Sequence, residues 1–319
     1  MQPLDRPGLG SLLTRRALMK GALGASAVLA ADATTCLVAQ TKSHTTKIGS
    51  MELTVLSDGI FSLPTSIMLP GQSQASLEPL LTPPSTVAAL VVQTNVVLIR
   101  SGKTLALIDT GAGADFMPTL GRLADALDAM SIAADAITHV IFTHAHADHL
   151  WGVMDPFGDG SRWPKARHVM MGIERDHWLK AGIETQVPDH MKGMAIGIQR
   201  RLKSLGDTIS TVKDGEEIAS GMAFMATPGH TPGHASIKVR SGSEEMIIGG
   251  DALTHATISF ANPGWQWGSD SDWQLATKTR AKLLDQLASS KARLLGYHLP
   301  WPGIGHVEAH QGAYRFVAA

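Results

Sequence analysis

The stretch Thr143–Gly152, THAHADHLWG, places His144, His146, Asp148 and His149 within six residues, directly after the apolar run Ala136–Phe142, AITHVIF. A short apolar run of this kind reads as a buried strand, so four metal-capable side chains stand where the chain leaves a strand end. His144 and His146, two apart, face one cation, whereas Asp148 and His149 continue round the turn toward a second. Each such cation takes about four to five N or O donors, so the motif needs partners elsewhere. Three follow, each at the end of a predicted strand: His230 in TPGHTPGH (Thr227–His234), Asp251 in IIGGDA (Ile247–Ala252) and His298 in LGYHLP (Leu295–Pro300). The expected arrangement has His144, His146 and His230 on one divalent ion and Asp148, His149 and His298 on the other, with the Asp251 carboxylate bridging them. His234 is expected to support this set from outside it, and Asp109 to orient a ligand such as His146 by a hydrogen bond rather than bind a cation.

Around these motifs short strands alternate with helices. MELTVLSDG alternates apolar and polar residues, TNVVLIRSGKTLALIDTG reads as a hairpin about Ser101 and Gly102, and FMPTLGRLADALDAM carries Leu120, Leu123, Leu127 and Met130 at helical spacing. A second half repeats the style, with helices in DHMKGMAIGIQRRLKSL and DWQLATKTRAKLLDQLASS and strands in MAFMATPG, ASIKVRS and EEMIIGGDAL. Residues 45–319 show no linker and no internal repeat, so they read as one domain of two mixed halves.

The composition excludes several classes. With 319 residues, 44% of them hydrophobic, the chain buries a sizeable core, and a formal net charge of -1 with scattered basic residues gives no footprint for nucleic acid. Cys36 is the only cysteine, so neither an internal disulfide nor a multi-cysteine zinc site forms. TRRALMK (Thr14–Lys20), the weakly apolar GALGASAVLAA and the small residues Ala31 and Ala33 have the order of a twin-arginine export signal over residues 1–33. The apolar run is about half of the ~20 residues of a membrane span, which predicts cleavage rather than stable insertion, and a periplasmic or secreted protein.

The set HAHADH, TPGHTPGH, the aspartate after IIGG and the late histidine, in that order behind LIDTG, resembles the metallo-β-lactamase superfamily over the whole chain after the signal. That resemblance implies a single-domain αββα sandwich with two metals at one edge. LSDG, PTLGRLA, HWL, HLPWPGIGH and GAYRFV carry a narrower resemblance, to the methyl parathion hydrolase group, which implies a homodimer.

Two divalent ions ~3.5–4 Å apart share a water, lower its pKa toward neutrality and polarise a P=O or C=O oxygen, so the expected function is hydrolysis of apolar ester-like small molecules. Zinc is the expected metal, although manganese, iron or cobalt suits the same donors. Asp251 is the expected catalytic residue, steering the water. Phe116, Trp151, Trp178 and Phe260 are expected to wall the substrate pocket, with Trp151 narrowing it. Of the two tyrosines, Tyr297 should point away from the metals, which leaves the leaving group poorly protonated and favours substrates with a good leaving group, an aryl oxide or a strained or aromatic lactone; the narrower resemblance implies phosphotriesters of the methyl parathion type ahead of lactones and aryl esters. His255, four residues after Asp251, reads either as a proton donor projecting into the pocket or, as the preferred reading, as a solvated loop histidine. Among rivals, a persulfide dioxygenase would hold one iron and leave Asp148, His149 and His298 without a purpose. A glyoxalase-type thioesterase would carry a basic C-terminal helical region, and here only about twenty residues follow His298.

Overall fold

Strands whose residues are apolar on both faces need cover on both sides, and that requirement organises this chain. The structure is a computed structural model that describes residues 42–157 and 160–319; the export signal read at residues 1–33 lies outside them. In the first sheet β1 (Ser43–Ile48), β2 (Met51–Pro64), β3 (Ala89–Ser101), β4 (Thr104–Ile108), β5 (His139–Ile141), β6 (Arg167–Met171) and β7 (Ile209–Val212) lie side by side in chain order. The first four pair antiparallel and β4 to β7 pair parallel. The second sheet holds β8 (Glu217–Ala219), β9 (Met222–Ala226), β10 (Ala235–Ser241), β11 (Glu244–Ile248), β12 (Arg293–Leu295), β13 (Ile304–His310) and β14 (Ala313–Ala318), antiparallel except for the β11–β12 pair.

β4 illustrates the layering. Ala106 and Ile108 face the second sheet and join Phe224, Ile237, Val239 and Ile248 in the central core. Leu105 and Leu107 face the other way, toward helices at Leu123–Ala129 and Lys192–Leu205. On the far side Ile247, Leu294 and Val307 pack against Leu283, Leu284 and Leu287 of the helix Trp273–Ser290, whose N-terminus is capped by the Asp272 side chain accepting from the Leu275 amide. Each fully buried side chain of this kind contributes about 1.5–3 kcal/mol. The result is the αββα sandwich. No described helix is long and apolar enough to cross a membrane.

Two sequence expectations need adjustment. The helix read over Phe116–Met130 begins only at Leu123, because Gly121 sits at φ +84 and the Asp58 carboxylate, from β2, accepts the amides of Gly121 and Leu123 in place of a preceding helical turn. β12 ends at Leu295, so Tyr297 and His298 lie on the bend that follows it rather than on the strand.

Candidate metal centre

The loops that leave β5, β9, β11 and β12 meet at one edge of the sandwich. His144 and His146 follow β5; Asp148 and His149 occupy the short helix Ala147–Leu150; His230 follows β9; Asp251 follows β11; His298 follows β12. All seven side chains are buried. Ligand-type atoms of His144, His146, His230 and Asp251 form one group and those of Asp148, His149 and His298 a second, each within 4.8 Å. Asp251 links the groups: Oδ1 lies 3.0 Å from His149 Nε2, and Oδ2 lies 3.2 Å from both His230 Nε2 and His298 Nε2.

The outward ring nitrogens of four of the five histidines are occupied. His144 Nδ1 donates to Thr143 Oγ1 (3.1 Å), His149 Nδ1 to Asp109 Oδ2 (2.8 Å), His230 Nδ1 to Asp270 Oδ1 (3.1 Å) and His298 Nδ1 to the Gln93 carbonyl (2.7 Å). A ring that donates from Nδ1 presents Nε2 to the centre, and for His146 it is Nδ1 that faces inward, 2.9 Å from His230 Nε2. Within the cluster His144 Nε2, His149 Nε2, Asp148 Oδ2 and Asp251 Oδ1, together with the outward His146 Nε2, are buried without a hydrogen-bond partner. Buried polar atoms of a folded protein are nearly always paired, so converging ligand-type atoms of which several are unpaired fit a pair of divalent cations.

Asp109 lies at φ 60 at the end of β4, a left-handed conformation that aspartate tolerates better than most residues. Its carboxylate holds Thr143 through backbone and hydroxyl (both 2.8 Å) and orients His149, not His146. His234 spends both nitrogens, Nδ1 donating to the Thr227 carbonyl and Nε2 accepting the Asp251 amide, 3.0 Å each, so it holds Asp251 in place and has no atom left for a cation. Gly250 makes that approach possible, since a Cβ there would lie 2.6 Å from His234 Nε2. Tyr297 stacks on His149 from behind (3.9 Å between centroids) and donates to the Asp148 carbonyl at 2.6 Å, so its phenol is outside the pocket.

Asp270 and Arg280 gave no signal in the sequence, being 40 and 50 residues from the histidine they support. Arg280 is buried, donating to the carbonyls of Ala252, Pro263 and Trp265 and to Asp270 Oδ2. One guanidinium thus steadies the residue after Asp251 and, through Asp270, His230.

Over the cluster opens a cavity of about 230 Å³ with His146, Asp148, His230, Asp251 and His298 in its lining. Its apolar walls are Phe61, Leu63 and Val92 of the first sheet, Ile67, Met68, Phe116, Met117, Met191 and Met194. Phe116 is there as expected, edge-on to Phe61. Three expected wall residues are elsewhere. Trp151 lies behind Phe116, stacked against Arg201 at 3.9 Å and pressed on Gly197, because the turn that aims Asp148 and His149 at the centre carries it to the opposite side. It therefore lines a different cavity and does not narrow this one. Trp178 is buried behind His146, 6.0 Å between centroids, its indole N–H on Glu174. Phe260 packs against Phe316 in the outer core of the second sheet. His255 is buried rather than solvated: its Nδ1 accepts the amides of Thr257 and Ile258, and burial lowers its pKa to about 4.

Electrostatics within the cation-free cluster have a measurable consequence. Burial alone would depress the basicity of His149, His230 and His298, but Asp251, with Asp148, Asp109 and Asp270 in turn, outweighs it and raises all three, His230 to about 9. Burial pushes Asp251 upward, and these histidines overcome it, holding the carboxyl well below its usual range. His144 and His146, desolvated and beside other histidines, are held well below 6.5. At pH 7 a cation must therefore displace protons from the raised histidines, so binding should release protons and tighten as pH rises toward about 9. Calorimetric titration of zinc into stripped protein, in two buffers of different ionisation enthalpy, checks this; identical heats in both would contradict it.

A model of the metallo-beta-lactamase superfamily matches residues 89–298. Among curated proteins, the uncharacterized protein YobT of Bacillus subtilis is 32% identical over 166 residues, half of this chain and 61% of its own length. The probable metallo-hydrolase Rv2300c of Mycobacterium tuberculosis is 22% identical over 183 residues, 50% of this chain and 57% of its own. The chain thus spans about three fifths of the length of the curated relatives it matches. Among solved structures, AidC, a dizinc quorum-quenching lactonase in complex with the product N-hexnoyl-L-homoserine, is 28% identical with a TM-score of 0.82, over 88% of this chain and 98% of that one. AbOPH, a hydrolase in the beta lactamase superfamily, is 25% identical with a TM-score of 0.80 over the same shares. Motif order, sandwich, clustered ligand-type residues and a family match over more than half of its length agree: this chain belongs to the metallo-β-lactamase superfamily.

Proposed function

We propose that the protein is a binuclear metal-dependent hydrolase of apolar ester-like substrates, with lactones that carry an apolar acyl chain as the first substrate class. The observation that carries this reading is the convergence of seven histidine and aspartate side chains, several with unpaired atoms, beneath an apolar cavity that five of them line. His144, His146, His230 and Asp251 would hold one cation and Asp148, His149 and His298 the other, and the cations, zinc by default, supply Lewis-acid activation of the substrate oxygen and of the attacking water. Asp251 lies within the cavity lining with Oδ2 facing His230 and His298, where it orients the attacking water and accepts its proton. The methionines Met68, Met117, Met191 and Met194 give a flexible apolar wall that adapts to an acyl chain and keeps bulk water out. Likeness to AidC over nearly its whole length supports placing lactones first.

Phosphotriesters with an aryl leaving group form the second reading. The Phe61–Phe116 edge-to-face pair, beside His298, offers an aromatic face at the centre, and no tyrosine lies in the cavity lining to protonate a poor leaving group. Measuring kcat/KM on N-hexanoyl homoserine lactone and on methyl parathion, with His146→Ala as control, tests both. The lactone is expected to lead by at least ~10-fold, about 1.4 kcal/mol of transition-state stabilisation. A lead for the phosphotriester would install the second reading, and no rate above the control on either would contradict both.

A further inference from the structure

Glu174 is wholly buried, and among the described residues no lysine or arginine pairs with it. Its carboxylate accepts four hydrogen bonds. Oε1 takes the Ala145 amide (3.0 Å) and the Trp178 indole N–H (2.8 Å); Oε2 takes the Thr231 hydroxyl (2.7 Å) and the Gly233 amide (2.9 Å). These donors are selectively placed. Ala145 stands between His144 and His146, Thr231 directly follows His230, and Gly233 precedes His234, which holds the Asp251 amide. None belongs to Asp148, His149 or His298. The loop after β9 is also pressed onto the helix Gly172–Trp178 that carries Glu174: a Cβ on Gly233 would lie 2.2 Å from the Glu174 amide nitrogen.

We propose that Glu174 is a positioning residue that ties the two histidine loops together and so sets the cation affinity of the His144, His146 and His230 half of the centre, an inference that rests on the two-cation reading above. Only an ionised carboxylate accepts from four donors at once. A glutamine in the same place turns its NH2 toward two of those donors, which breaks the bonds to one loop and sets N–H against N–H or O–H there. Since the other half of the centre has its own supports, Asp109 on His149 and the Gln93 carbonyl on His298, the loss should fall on one cation and spare the other.

Zinc titration of stripped wild-type and Glu174→Gln protein against a competing chelator tests this, together with thermal unfolding of both cation-free proteins. The expected result is two equivalents in the wild type, and in the variant one of them weakened by roughly 10–100-fold while the other stays near wild type. A variant whose cation-free melting temperature falls while both affinities hold would show a role in folding alone and overturn the proposal. Fewer than two equivalents in the wild type would overturn the two-cation reading and the proposal with it, which separates the two failures. Thr231→Val and Trp178→Phe each remove one donor and decide the matter where Glu174→Gln does not fold: a smaller loss in the same equivalent supports the proposal, and unchanged affinities overturn it.

Discussion

Asp251→Asn is expected to lower kcat/KM for lactone hydrolysis by roughly 10²–10⁴-fold, the usual range for losing a positioned proton acceptor, while the sandwich remains folded. The size of the effect follows from how many groups share this carboxylate. His149, His230 and His298 all have ring nitrogens within 3.2 Å of it, and Oδ2 is 3.9 Å from His144 Nε2. An amide keeps the shape, removes the charge and replaces one acceptor with a donor pointing at nitrogens meant for a cation. In the cation-free protein the three histidines lose the counter-charge that raises them, so the same substitution should also reduce proton release on zinc binding. Steady-state kinetics, zinc content and the two-buffer titration read the three consequences. Activity within a few-fold of wild type would remove Asp251 from the chemistry.

Arg280→Met is expected to destabilise the cation-free protein by about 3–5 kcal/mol, because it strands the buried Asp270 carboxylate and leaves the carbonyls of Ala252, Pro263 and Trp265 without their donor. Asp270→Ala should cost a similar amount by stranding the guanidinium. Combining them as Asp270→Ala with Arg280→Met should recover much of the stability, since neither charge is then left unpaired, yet His230 still lacks its Nδ1 acceptor and zinc affinity should stay ~10–100-fold down. Denaturant unfolding and chelator competition on the three variants separate the two effects. A stability loss below about 1 kcal/mol for Arg280→Met would mean that water, not Asp270 and the carbonyls, solvates that guanidinium.

The ligand-type residues and the layers were legible in the sequence for one physical reason: titratable side chains directly after apolar runs stand out against strands that must be buried on both faces. Strand order in the chain then carries over to the edge where β5, β9, β11 and β12 end. Pocket walls were not legible, because sidedness there depends on packing between elements far apart in sequence. Trp151 is two residues from His149 yet faces Arg201; Trp178 is one helical turn from Glu174 and serves it instead of the substrate; Phe61 and Leu63 reach the cavity only because β2 runs on to Pro64. The aspartates divide the same way. Asp109 signalled a supporting role by its place after LALI, but which histidine it serves is decided by the turn of the Ala147–Leu150 helix, and Asp270 supports His230 from a loop with no signature at all.

The central claim is that the seven side chains form one two-cation centre that does the chemistry. The most direct measurement is lactone hydrolysis by fully stripped protein as zinc is added stepwise. Negligible rate is expected without zinc, with a rise that saturates at two equivalents per chain; hydrolysis that persists in the stripped protein, or that saturates at one equivalent, would contradict a two-cation centre.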